Sequence, residues 1–506
     1  MQKRPPLIQY ATYSQPINRK YKGNPFIEAL PPTLEYSVVA KLLKNAIDFQ
    51  SEDRSLPVHE RLQTLQEILL WRWPLTFNID LYYLFDRIIR PGYRGRNPIH
   101  RDFWNNVRAG RLFLTDDTPL PDTMESTASS FAVIGDSGIG KTCGVKSALS
   151  LYPQLILHSE YSDQTFNRQQ IVYLVVPCPP GGGLVALCHR FFRKVDEILG
   201  TNYYRIYTRN GRAAIGEMIG HMYTVVQLHG IGVLVIDEIQ NLIDAKANDA
   251  DIMLNTFVEF VNELCLPIVP VGTPEAIEVL SRAFRDARRV SGQGDCVVKR
   301  MKQDELDWEI FVQKLWQYQY LQNFTKLTSD LRDALYDESQ GITDLVIKVF
   351  ILAQIRAMTT EEEAMQEVLS LQAIRSVRES LSLLQPMLEA LRSGDESALS
   401  RYKDLHDAID IKGHVNDALL KLPVSTVKVE TSLSRTGQQT GDQRNNISTS
   451  KEGGSPKKTR KAKKQKTVIY KGGILEVIMI GRTNDVTPYE SLLQANHIQN
   501  LDVYVY

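Results

Sequence analysis

The sequence predicts an α/β fold, a five-stranded parallel sheet with helices on its faces, set between a helical N-terminal region and a helical lid. Three observations carry that expectation. Near residue 125 helical periodicity gives way to apolar runs alternating with amphipathic stretches, the order that builds parallel sheets. The runs IVYLVV (171–176) and VLVI (233–236) are continuous and β-branched, as strands covered on both faces require. The first strand candidate ends in a glycine-rich loop that opens a helix.

Taken in order, residues 1–32 read as an extended arm, because Pro5, Pro6, Pro16, Pro25, Pro31 and Pro32 disfavour a regular helix. Residues 33–124 form the helical N-terminal region, with apolar residues at helical spacing over Ser37–Phe49 and Leu62–Trp71. The α/β core spans 125–304. Its strand candidates are Phe131–Gly135, Ile171–Pro177, Gly232–Asp237, Pro267–Gly272 and Cys296–Arg300. Helices are expected at Leu184–Leu199, Arg212–Leu228 and Asp251–Leu264. Residues 305–425 return to helix as the lid, with Leu345–Ile355 its most apolar stretch. Residues 426–467 are polar and lysine-rich without apolar period, a disordered basic linker. Apolar residues reappear in 468–506, a segment suited to docking on a partner or on the body.

Composition narrows the function classes. A chain of 506 residues allows two or three domains, and 43% hydrophobic residues suffice for a sizeable core. Lys+Arg and Asp+Glu both number 59, so attraction to nucleic acid must come from local patches. The five cysteines form no C-x-x-C pair, which argues against a disulfide framework or zinc site and fits a reducing cytoplasm. No apolar run reaches the length of a membrane span, and the N-terminus lacks the apolar region of a secretory signal.

The chemistry begins at FAVIGDSGIGKT. Gly135, Asp136, Ser137, Gly138, Ile139, Gly140, Lys141 and Thr142 form G-x-x-x-x-G-K-T between a strand and a helix, with Cys143 next. That context makes it a phosphate-binding P-loop. Gly138 and Gly140 let the backbone wrap phosphate oxygens, and the helix N-terminus favours the anion. Lys141 is expected to reach the β- and γ-phosphates of ATP and Thr142 to bind Mg²⁺. VLVIDEIQNL then places Asp237 at a strand tip as the second metal partner, with Glu238 beside it to orient or deprotonate water. PIVPVGTPEA ends a further strand. Thr273 there is a candidate for sensing the γ-phosphate, or a simple strand-ending turn. In FRDARRVSGQG, Arg285, Arg288 and Arg289 crowd one segment. They suit either an arginine finger for a neighbouring subunit or a basic helix end.

These motifs, in this order, resemble the AAA+ ATPases. NPFIEALPP (24–32), GYRGRNP (92–98), VIDEIQNL, VGTPEA, FRDARR, SQGITDLVIKVFILAQ (339–354) and PMLEALRSG (386–394) look more closely like the TnsC family, ATPase regulators of Tn-seven-type bacterial DNA transposition. The likeness runs from about Asn24 to about Leu405. It implies an ATPase that assembles as rings or filaments on double-stranded DNA and links a target-selector protein to the transposase. By motif position it makes Thr273 the first sensor and Arg288 or Arg289 the finger offered to the adjacent subunit. Two departures stand out: Thr273 replaces the asparagine common at the first sensor, and Thr343 and Asp344 stand where a lid arginine is common.

YYRIYTRNGRAA offers Arg205, Arg209 and Arg212 as DNA contacts, with a solvated surface loop as the plain alternative. The tail from Lys451 to Lys471 holds nine Lys/Arg against one Glu, enough local charge to attract DNA or simply to keep a linker soluble. Two other functions fit a P-loop ATPase of this size: an initiator or helicase loader, and a scaffold that uses ATP only to set its shape.

Overall fold

Apolar β-branched runs at both ends of the core become strands, and a computed structural model describes them within residues 4–101, 103–104, 107, 128–245, 247–277, 280, 294–360 and 366–394. The chain divides into two units, Met1–Leu422 and Pro423–Tyr506, and the second lies outside the described residues. The basic linker and the C-terminal docking segment expected there lie outside them as well.

The described strands are β1 (Ile8–Tyr10), β2 (Val133–Gly135), β3 (Leu155–Tyr161), β4 (Gln164–Ile171), β5 (Tyr173–Pro177), β6 (Val233–Asp237), β7 (Ile268–Gly272) and β8 (Cys296–Val298). Five of them pair in the order β5-β6-β7-β2-β8, and every pairing is parallel. This is the predicted five-stranded parallel sheet. Along β6 alternate residues enter opposite cores: Leu234 and Ile236 pack with the helices Leu184–Leu199, Ile215–Leu228 and Ala247–Glu263, and Val233 and Val235 with Thr76–Arg94 and Lys141–Leu149. Both faces are therefore dry, which is why the runs are continuous rather than alternating.

One predicted strand is two. The run Ile171–Pro177 breaks at Val172, because Ile171 pairs antiparallel with β3 whereas Tyr173 pairs parallel with β6. The chain changes sheets there. β1, β3 and β4 make a second, three-stranded sheet that the sequence does not announce. Its hairpin turns at Ser162 and Asp163, both at positive φ (50° and 61°), a conformation usually signalled by Asn-Gly.

The segment read as an extended arm, 1–32, carries β1, a 3₁₀ turn at Arg19–Tyr21 and a short helix at Pro25–Glu28. Asn24 caps that helix by accepting from the Phe26 amide, and Pro25 occupies its first position. Phe26 and Ile27 are fully enclosed.

The described part of the region 33–124 serves two cores. Val39, Leu43 and the Thr76–Arg94 helix pack on the sheet. Leu62, Leu65, Ile68, Trp71 and Leu75 pack instead with the lid helices Leu306–Leu315, Ser329–Ser339, Thr343–Thr359 and Leu371–Ser380. Arg61 and Glu367 join the two at 2.6 Å, with the Arg61 side chain fully buried. The expected helix over Ser37–Phe49 stops at Leu43, and that over Leu62–Trp71 becomes Val58–Thr64 followed by a 3₁₀ turn, Leu65–Leu70.

Candidate nucleotide site

The strand order decides where the motif residues meet. β2 ends in the P-loop, β6 ends in Asp237, and β7 lies between them in the sheet. Their C-terminal ends form one crevice, where parallel α/β sheets bind ligands.

Gly138 and Gly140 have φ of +74° and +94°, which only glycine adopts without strain, and a Cβ on Gly140 would meet open space. The backbone bend, not crowding, therefore sets the glycine there. Gly140 caps the Lys141–Leu149 helix, so the amides of its first turn, which the helix itself cannot pair, face the loop. Lys141 Nζ donates to the Asp136 carbonyl at 2.8 Å and so lies across the loop. Asp136 and Cys143 are exposed, Ser137 is half-buried and Ile139 is buried.

Thr142 and Asp237 are brought together. The Thr142 hydroxyl donates to the Asp237 carboxylate, 3.1 Å from Oδ1 and 3.0 Å from Oδ2. Asp237 is buried, and its Oδ1 also accepts from the Glu238 amide at 3.1 Å. A hydroxyl and a carboxylate of this kind are hard oxygen ligands that suit Mg²⁺. Glu238 sits in the left-handed region (φ 56°, ψ 43°), uncommon for a residue with a side chain, and its carboxylate is exposed. The 3₁₀ turn Ile239–Leu242 follows at once and returns Gln240, whose amide donates to Glu238 Oε2.

Thr273, at the end of β7, donates its amide to Gln240 Oε1 at 3.3 Å. Its hydroxyl is buried and has no hydrogen-bond partner among the described residues. A buried unpaired hydroxyl is rare enough to require an explanation, and a polar ligand supplies one.

The lid helix closes the opposite side. The Asp344 amide donates to the Gly138 carbonyl at 3.1 Å, and the Thr343 hydroxyl to the Ile139 carbonyl at 3.4 Å. Beside the P-loop lies a cleft walled by Trp71–Leu75, Phe77 and Asn78, by Cys143 and Gly144, and by Thr343 and Ile347. Arg72 Nε lies 3.4 Å from Cys143 Sγ. Neither Gln240 nor the Trp71–Leu75 strap is singled out by the sequence alone, although the cluster WRWP immediately after a helix marks a turn.

Arg288 and Arg289, with Arg285, lie outside the described residues. Arg205, Arg209 and Arg212 are described and exposed, far in the chain from the P-loop. Arg209 is paired with Glu217 at 2.6 Å. The neighbouring tyrosines face inward: Tyr203 stacks on Tyr207, and Tyr207 on His221 with ring centroids 4.0 Å apart. Those rings are used within the fold.

Residues 124–280 match the AAA domain. The fold of the core is that of an AAA+ P-loop ATPase. The match begins where the composition changes and includes both the P-loop and the Asp237–Glu238 strand, so the AAA+ core is a nucleotide-binding unit of a kind that hydrolyses nucleotide. Among solved structures the chain is similar to a Walker-type ATPase of Pyrococcus abyssi, at 14% identity and a TM-score of 0.35, covering 65% of this chain and 87% of that one. It is also similar to the ORC2 protein of Aeropyrum pernix in its ADPNP–ADP complexes (14%, TM-score 0.34, 64% and 86%). Cdc6p from Pyrobaculum aerophilum is a third such structure (13%, TM-score 0.33, 64% and 86%). No curated protein matches the chain. No described helix is long and apolar enough to cross a membrane.

Proposed function

We propose that the chain binds ATP with Mg²⁺, hydrolyses it, and uses that cycle to assemble on duplex DNA as a transposition regulator of the TnsC type. The observation that carries the ATPase is the placing of Thr142 within 3.1 Å of Asp237, next to Glu238. Mg²⁺, held by Thr142 and Asp237, would neutralise charge on the phosphates. Lys141 and the amides opening its helix grip the β- and γ-phosphates. The Trp71–Leu75 strap and Ile347 offer an apolar slot for the base. Glu238 takes a proton from water as the water oxygen bonds to the γ-phosphorus and the bridging oxygen leaves with ADP. Thr273 donates to a γ-phosphate oxygen through the hydroxyl that has no partner among the described residues. Arg288 or Arg289 would complete the site of the next subunit.

The DNA-linked role rests on the TnsC-like segments and on exposed arginines. Arg205 and Arg212 are the cations best placed for phosphate, since Arg209 is held by Glu217. Contacts of this kind ignore sequence and weaken with salt. A transposase and a target selector are the partners expected of such a regulator.

The test compares ATP hydrolysis and ATP-dependent co-sedimentation with random-sequence duplex for wild type and Glu238→Gln. Glu238→Gln should slow turnover to a small residual rate and hold the protein on DNA with ATP. Equal rates would remove Glu238 from the chemistry, and no ATP-dependent sedimentation would remove the assembly. Capture of a replicative helicase instead of a transposase would turn the assignment to a loader.

A further inference from the structure

We propose that Gln240 is a positioning residue that couples the orientation of Glu238 to the tip of β7. The role rests on the ATPase proposed above and concerns the same site. Glu238 is exposed and its side chain is long, so its backbone alone cannot fix where the carboxylate points. Gln240 supplies an anchor. Its amide nitrogen donates to Glu238 Oε2, and its amide oxygen accepts from the Thr273 backbone at 3.3 Å. One side chain thus uses both ends of its amide to tie the β6 end to the β7 end.

Two features make that bridge possible. The left-handed backbone at Glu238 starts a 3₁₀ turn, and the turn carries residue 240 back beneath residue 238. Gly272 then allows the approach, since a Cβ there would lie 2.8 Å from Gln240 Oε1 and 2.7 Å from Ile239. A carboxylate has about four acceptor sites over its two oxygens. Gln240 takes one of them, on Oε2, so holding the carboxylate this way does not use up its capacity to accept from water. The residue held at the other end of the bridge is the one whose buried hydroxyl lacks a protein partner among the described residues. A shift of the β7 tip when Thr273 meets the γ-phosphate would therefore move Gln240, and Gln240 would move Glu238.

The test measures ATP turnover and nucleotide affinity for wild type, Gln240→Met, Gln240→Glu, Glu238→Gln and the Glu238→Gln/Gln240→Met double variant. Met keeps length and loses both hydrogen bonds. Glu keeps the acceptor for Thr273 and loses the donor. Each Gln240 variant should lower kcat by about 10- to 100-fold, the usual effect of removing an orienting partner, with KM and ATP affinity within about twofold of wild type. In the Glu238→Gln background, Gln240→Met should add less than about twofold, because nothing remains to orient. Turnover within about twofold of wild type in both variants would overturn the role. So would affinity falling in step with kcat, or losses that multiply in the double variant. If wild type does not hydrolyse ATP, the ATPase itself fails, and if Glu238→Gln is as fast as wild type, Glu238 has no part in the chemistry; Gln240 falls in either case, a pattern distinct from the others.

Discussion

Thr142 shows how much a single hydroxyl can be asked to do. It stands at the first turn of the helix that the P-loop opens, and it donates to the two oxygens of a buried carboxylate 95 positions away in the chain. Thr142→Val preserves shape and the β-branch but removes the oxygen. We expect ATP turnover to fall by about 100-fold or more, roughly 3 kcal/mol of transition-state stabilisation, while binding of nucleotide without Mg²⁺ is retained. Titrating a fluorescent nucleotide with and without Mg²⁺ separates the two, and equal loss under both conditions would mean that Thr142 serves the loop and not the metal. At this scale the sequence is most legible: G-x-x-x-x-G-K-T and the Asp-Glu pair are local patterns whose spacing is dictated by phosphate and metal geometry. Gln240 is not legible, because its function lies in reaching β7, and no local pattern reports which strand tip a glutamine will meet. The arginines at 205, 209 and 212 show the same limit, since only the fold pairs Arg209 with Glu217.

Elements were legible where one period dominated. The Leu184–Leu199 helix matches its expected span, and its stop at Gly200, left-handed at φ 71°, is a usual glycine cap. The lid helix extends beyond the apolar run Leu345–Ile355 to Thr343–Thr359, and its polar N-terminal end carries its contacts with the P-loop. The hairpin of β3 and β4 was hidden by its Ser-Asp turn, and the membership of residues 58–75 in the lid core was hidden because helical periodicity says that a face is buried, not against what. That membership has a measurable consequence. Arg61 is wholly enclosed, donates to the carbonyls of Leu56 and Tyr320, and meets Glu367 through two nitrogens. Arg61→Met strands a buried carboxylate and should destabilise the lid by about 3–5 kcal/mol. Adding Glu367→Gln should recover part of the loss, because the neutral side-chain amide keeps an oxygen that can accept from the Gln322 backbone amide now bonded to Glu367. Urea unfolding of the two variants decides: if the single change costs under about 1 kcal/mol, the N-terminal helix and the lid are not held together by this pair.

Across the whole molecule the formal charge is zero at pH 7, so near neutrality pH acts on stability through particular buried groups more than through general repulsion. Two histidines are placed to dominate on the acid side. His158 lies between the Tyr13 hydroxyl, 2.8 Å from Nδ1, and Gln170 Oε1, 2.9 Å from Nε2. Gln170 donates its own amide to the Phe26 carbonyl, so its oxygen faces the ring, Nε2 carries the proton, and Nδ1 is left to accept from Tyr13. Burial lowers the His158 pKa to about 4. His229, bonded to the Tyr203 hydroxyl at 2.8 Å, is lowered to about 4 by burial first and by the nearby Arg168 charge. In the unfolded chain both titrate near 6.5. Between about pH 6.5 and 4 the unfolded state therefore binds more protons than the folded one. The stabilisation is complete above about 6.5 and is lost as pH falls towards 4. Each histidine contributes roughly 3 kcal/mol to that loss once the pH is below about 4. His158 ties β3 to the Tyr13 and Phe26 segments, and His229 ends the helix before β6. Acid should therefore release the N-terminal segment from the sheet at pH values where the carboxylates are still largely ionised. Comparing thermal midpoints at about pH 7.5 and about pH 5 for wild type, His158→Gln and His229→Gln tests this. Each variant should be less stable than wild type at the higher pH but lose less on acidification, and a pH dependence unchanged from wild type in both would rule the histidines out as the acid-labile groups.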